Sequence, residues 1–146
     1  MTTVTTRSVD TQDDLTAPAV GDLLRFALRA DATLCAAVGL VIAMAADPLS
    51  RLSGLSPTSE WIAGAALVAY GAALYLAAGV RDVRRVGVGV LVGNVAFAVT
   101  VAGVLIAGWL PLTRFGIAAT VAFTALTLAF AYVQYLGVRR LDATST

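Results

Sequence analysis

Four apolar runs, each about as long as a bilayer is thick, dominate this sequence: Leu23 to Ala46, Trp61 to Val80, Val86 to Trp109 and Phe115 to Val138. The hydrocarbon core of a membrane is about 30 Å across, so a helix that crosses it needs roughly 20 mostly apolar residues. The runs predict an all-α protein: a transmembrane four-helix bundle with up-down-up-down connectivity. With 59% hydrophobic and only 13% charged residues and a mean hydropathy of +0.86, the chain reads as an integral membrane protein.

Little of the 146 residues remains for a second domain. Residues 1–21 are rich in Thr and Asp and poor in large apolar side chains, the composition of a disordered cytoplasmic tail. The stretch lacks the basic region and small-residue cleavage site of a signal peptide, so the first span is expected to be retained. Residues 22–141 are then the four-helix domain, and 142–146 a short cytoplasmic tail.

All ten basic residues are arginine, and their placement sets the expected orientation. Arg25 and Arg29 enter the first span, Arg81, Arg84 and Arg85 form the turn between spans two and three, and Arg139 and Arg140 follow span four. Only Arg51 and Arg114 lie in the other two loops, so, leaving aside Arg7 in the N-terminal stretch, the arginines divide seven against two. Cytoplasmic loops carry the excess of basic residues, which puts both termini and the turn at 81–85 in the cytoplasm. Trp61 and Trp109 fall at the opposite ends of their spans, where aromatic belts form. Asp22 is placed to cap the first helix, and Ser59 with Glu60 to open the second. Pro48 and Pro111 are placed to stop the first and third, and residues 47–59 to form a small outer cap.

The two halves share features. Pro48-Leu49-Ser50-Arg51 matches Pro111-Leu112-Thr113-Arg114, and Gly79-Val80-Arg81 matches Gly137-Val138-Arg139. The matches predict an internal repeat of two helical hairpins related by an axis along the membrane normal.

Helices in lipid associate through small residues that let backbones approach. Such stripes are Ala65, Ala69, Ala73 and Ala77 in span two, and Gly89 and Gly93 in span three. Span one offers Cys35, Gly39 and Ala43, and span four Ala118, Ala122, Ala125 and Ala129. The stripes are expected to pack the bundle internally, with Gly89 and Gly93 the alternative seam for self-association.

Reactive chemistry is sparse. There is no histidine, and the single cysteine, Cys35, excludes an intrachain disulfide. No catalytic residues, metal site or cofactor are expected, and the chain reads as a non-enzyme. Polar groups within spans are the default place to look for function. Arg29, Asp31 and Asn94 form a candidate polar pocket or proton site. The competing structural reading has Arg29 reaching the headgroups and Asp31 paired with Arg84 or Arg85. The span-four threonines are expected to bond to their own helix, and Gln134 to lie at the interface with Tyr132 and Tyr135.

The segments LRADA, PLSRLSGL, GNVAFAV, GWLPLTRFG and QYLGVRRL resemble those of a family of small four-span bacterial integral membrane proteins. The resemblance runs from about Leu24 to Leu141. It implies four helices and an inner-membrane location and carries no activity. Small multidrug transporters are similar in size and span count, but they carry a membrane-embedded Glu in the first helix where this chain has Asp31 nearer the edge. Two functions follow as expectations. The first is a non-enzymatic membrane component acting through helix packing, as a homo-oligomer or as a small subunit of a larger membrane complex. The alternative is a small carrier, or lipid- or small-molecule-binding module, with its site around Asp31 and Asn94. The bilayer is the expected partner, and nucleic acid is not.

Overall fold

The computed structural model describes residues 21–143 as five helices: α1 Asp22–Met44, α2 Ala46–Ser53, α3 Pro57–Ala77, α4 Val83–Ala107 and α5 Arg114–Ala143. All but α2 are long and apolar enough to cross a membrane, so the protein is an all-α, up-down-up-down transmembrane bundle. The tails expected at 1–20 and 144–146 lie outside the described residues. The helical domain runs through Ala143, two residues past the expected boundary.

The helix ends depart from expectation in instructive ways. Asp22 is the first residue of α1 and makes no capping hydrogen bond; the cap position belongs to Gly21. α1 stops at Met44, before Pro48, which lies instead in the first turn of α2, where a missing N–H has no helical partner to lose. Gly108, left-handed at φ 64°, ends α4, and Pro111 comes three residues after that stop. α3 opens at Pro57 rather than Ser59, because the Ser56 side chain accepts the Ser59 N–H at 3.1 Å and Pro57 suits the first helical position. Asp82 caps α4 by accepting the Arg85 N–H at 3.2 Å. Arg25 reaches across to the carbonyls of Ala78 and Val80 at 2.7 and 3.0 Å, satisfying the C-terminus of α3 with a cation.

At the other end, α2 folds what reads as a loop into a short helix lying against α3 and α5. Gly54 closes it at φ 89°, in close contact with the Pro111 carbonyl. Thr113 ties the corner together. Its N–H donates to Ser53 O at 2.8 Å, its hydroxyl donates to Leu52 O, and the same hydroxyl accepts the Gly116 N–H at 3.1 Å. Beside it the buried Ser53 hydroxyl donates to the buried Glu60 carboxylate.

α1 packs most extensively on α3, α4 on α5, and α1 also on α5, whereas α3 and α4 scarcely touch. The four spans therefore form a ring open between α3 and α4. The α1–α3 seam rests on glycines. A Cβ on Gly64 would lie 2.5 Å from Ala43 N, one on Gly39 2.6 Å from Gly64 O, and one on Gly71 2.6 Å from Ala32 O. Gly64 and Gly71, two turns apart, set the rotation of α3 because they let the backbones approach more closely than alanine does. The expected alanine stripes consequently face elsewhere. Ala65 is half-buried and Ala69 and Ala73 are exposed, as are Ala118, Ala122, Ala125 and Ala129 of α5. A Cβ on Gly89 or Gly93 would meet nothing within 4 Å, so neither packs against another helix of this chain.

The arginine-rich end is sealed by apolar packing. Leu24 and Leu28 are fully buried with Ala32, Leu74, Ala78, Val83 and Val138. Leu24 fits against Gly87 and Gly137, where added Cβ atoms would stand 2.9 and 3.0 Å from it. Outside this plug Arg84 pairs with Asp142 at 2.6 Å and Arg85 with Asp82 at 2.9 Å, both exposed and each worth little.

Candidate functional site

Each spanning helix gives one polar side chain to a single cluster above the plug. α1 supplies Asp31, with Cys35 one turn on; α3 supplies Tyr70, α4 Asn94 and α5 Gln134. Asp31 is 2% exposed and Gln134 is fully buried. Asp31 lies nine residues into α1 and Gln134 nine from the end of α5, so both stand roughly 14 Å from the arginine-rich end.

Asp31 is surrounded by neutral donors. Its Oδ2 accepts from Gln134 Nε2 at 2.9 Å and from Asn94 Nδ2 at 3.5 Å, and its Oδ1 accepts from the Cys35 thiol at 3.5 Å. Asn94 Nδ2 also reaches Gln134 Oε1 at 3.3 Å, and the Tyr70 hydroxyl donates to Asn94 Oδ1 at 3.4 Å. No arginine forms an ion pair with Asp31 among the described residues. Arg84 and Arg85, the partners expected from sequence, are taken up by Asp142 and Asp82 outside the plug. The carboxylate is thus hydrogen-bonded but not charge-compensated, an expensive arrangement in the low dielectric of a membrane interior.

A cavity of 180 Å³ adjoins the cluster. Tyr70 and Leu67 line it from α3, Gly93, Asn94 and Phe97 from α4, and Cys35, Phe123 and Thr127 from the remaining spans. Phe97 and Phe123 meet edge to face with centroids 6.2 Å apart. The absent side chain of Gly93 leaves this space open. The apolar plug lies between this cavity and the arginine-rich end, and α3 barely meets α4 beside it. The volume slightly exceeds that of an engineered dry cavity of about 150 Å³ that takes up benzene, so a single-ring molecule fits.

Of the residues expected to form a pocket, Asp31 and Asn94 are brought together and Arg29 is not. Arg29 is exposed on the outer flank of α1, its guanidinium carbon 5.9 Å from the centre of the Tyr75 ring. Gln134 is the residue the sequence reading misplaces, at the interface instead of the centre of the network. Its signal is periodic: Thr127, Ala131, Gln134 and Val138 recur on one helical face, and that face is the buried one. Tyr132 and Tyr135 on either side are exposed, and Thr120, Thr124 and Thr127 each donate to the carbonyl four residues back. Among the described residues no three His, Cys, Asp or Glu side chains converge, so the cluster offers one carboxylate, amides and a hydroxyl rather than a metal-ligand set.

No family model, curated protein or solved structure matches the chain.

Proposed function

We propose that this protein is a membrane-embedded binding module, acting as a small carrier, for a small, largely apolar cation that enters from the lipid between α3 and α4. The observation that carries the reading is Asp31, a buried carboxylate with three donors and no counter-charge beside an aromatic-lined cavity. A cationic group in that cavity gains from the Asp31 field, the oxygens of Tyr70 and Asn94, and the aromatic rings of Phe97 and Phe123 that line it. Asp31 itself stands behind Cys35 and Asn94, so it attracts the charge while the lining residues make the contact. No catalytic step is assigned to the site.

The test compares para-fluorobenzylamine with para-fluorotoluene, a cation and a neutral molecule of similar size, by fluorine NMR on the purified protein. Wild type should bind the amine more tightly; Asp31→Asn should lose that preference, and Gly93→Leu should exclude both. Equal binding of the two probes by wild type would sink the proposal.

A second reading, self-association or a place in a larger membrane complex, is favoured by the α4 flank, where Gly89 and Gly93 have no neighbour within 4 Å. Its measure is the mass of the purified protein in mild detergent, and a strictly monomeric chain with no co-purifying partner counts against it.

The bacterial inner membrane is the proposed location, with both termini and the 81–85 turn cytoplasmic, on the strength of the arginine asymmetry. The two hairpins are proposed to be duplicated halves, and the chain to belong with the small four-span proteins it resembles. The proposal of duplication rests on the matching segments Pro48-Leu49-Ser50-Arg51 and Pro111-Leu112-Thr113-Arg114. A tandem fusion of two second halves should then insert and form a four-helix unit.

A further inference from the structure

Arg29, excluded from the polar cluster, heads a separate feature on the outer flank of the α1–α3 hairpin. Its guanidinium is held over the Tyr75 ring and forms no ion pair with a carboxylate among the described residues. From there a groove of 520 Å³ follows α1 past Ala30 and Leu34. It continues into a second of 590 Å³ that ends at Leu40 and Val68, the two sharing Thr33, Ala37 and Tyr75 as walls. The floor is formed of small residues, which is why a trough exists where larger side chains would fill the space.

Its length and charge are informative. Arg29 to Leu40 spans eleven residues of α1, or roughly 16 Å. One leaflet of a bilayer with a hydrocarbon core of about 30 Å is roughly 15 Å deep. The trough is thus long enough for one acyl chain and almost wholly apolar, with one cation at the end nearer the arginine-rich face. A guanidinium presents a planar fork of donors suited to a phosphate, and Tyr75 restricts where that fork can point.

We propose that this groove holds one anionic phospholipid, its phosphate on Arg29 and one acyl chain along α1 to Leu40. The site is independent of the cavity at Asp31, on the far side of α1 from Cys35 and Tyr70. It rests only on the chain's spanning a membrane. The experiment is native mass spectrometry of the full-length protein exchanged into detergent with equal amounts of phosphatidylglycerol and phosphatidylcholine carrying the same acyl chains.

Wild type should retain one phosphatidylglycerol several-fold more often than one phosphatidylcholine. Arg29→Gln should abolish the preference, Arg29→Lys should keep part of it, and Arg81→Gln, an exposed arginine that does not line the groove, should leave it intact. Ala37→Phe, which fills the trough, should lower retention of both lipids. Arg29 and Ala37 are exposed, so circular dichroism melting of each variant should match wild type. Equal retention of the two lipids by wild type overturns the site. So does a preference that survives Arg29→Gln, one lost equally in Arg81→Gln, or lipid retention untouched by Ala37→Phe.

Discussion

Gln134 Nε2 donates to Asp31 Oδ2 at 2.9 Å, joining the first and last helices across 103 residues of sequence. The contact is the shortest in the polar cluster, and it also fixes Gln134 Oε1 for Asn94. Helices in lipid gain little from apolar burial against one another, so a bond of this kind helps decide which faces meet.

Replacing Gln134 with Leu should therefore destabilise the bundle. Hydrogen bonds between membrane helices average about 0.6 kcal/mol, but this one serves a buried carboxylate, for which the loss of a donor costs roughly 1–3 kcal/mol. Unfolding titrations in mixed micelles should place Gln134→Leu about 1–2 kcal/mol below wild type. A loss below about 0.5 kcal/mol would mean that Asn94 and Cys35 alone satisfy Asp31.

The glycines should sort into two classes under the same measurement. Gly64→Ala places a Cβ 2.5 Å from the Ala43 nitrogen, backbone that cannot turn aside, and overpacking of this sort costs about 1–3 kcal/mol. Gly89→Ala and Gly93→Ala meet nothing, and helix propensity alone favours alanine there by about 0.8–1.0 kcal/mol. The first should loosen the α1–α3 hairpin while the other two leave the monomer as stable as wild type or more so. If either α4 substitution lowers the oligomer mass while the fold persists, that flank is a seam between copies.

Hydropathy made the four spans legible because lipid imposes a length and a composition on any helix that crosses it. It could not reveal how each helix is rotated. Ala65, Ala69 and Ala73 form the more regular stripe in the sequence, yet Gly64 and Gly71 meet α1, because a hydrogen in place of a methyl admits a carbonyl oxygen. Asp31 and Asn94 were legible as a pair since both are polar at similar depth. Gln134 was obscured by its neighbours: flanking tyrosines and nearby arginines mark an interface, and only the continuation of α5 to Ala143 places it inside. α2 was hidden by Pro48, which punctuates a loop in most contexts but sits harmlessly in the first turn of a helix.

The outer corner should be intolerant of a side chain at residue 54. Gly54 combines a left-handed backbone with close contact to the Pro111 carbonyl, so alanine there meets both torsional strain and a backbone atom. Gly108 is also left-handed, at φ 64°, but has open space around it. Gly54→Ala should lower stability by about 2 kcal/mol or more, and Gly108→Ala by about 1 kcal/mol, the difference reporting contact between α2 and the α4–α5 turn. Equal losses would show that the corner contact contributes nothing.

Orientation is the last quantity the arginines specify. Seven of the nine from Arg25 onward gather at the end where α1 starts and α5 finishes, and Arg51 and Arg114 stand at the other. Basic residues close to span ends are held back from translocation, so the richer end should remain cytoplasmic. The test uses a Cys35→Ser background, in which the hydroxyl can still donate to Asp31, with a single new thiol from Leu55→Cys or Thr144→Cys. A membrane-impermeant maleimide applied to intact cells should label the protein carrying Leu55→Cys, in the α2–α3 turn. It should reach the Thr144→Cys protein only after the membrane is permeabilised. The reverse pattern inverts the topology and moves the Arg29 groove to the opposite leaflet. Labelling of both without permeabilisation would mean that the chain inserts in two orientations, which an asymmetry of seven to two argues against.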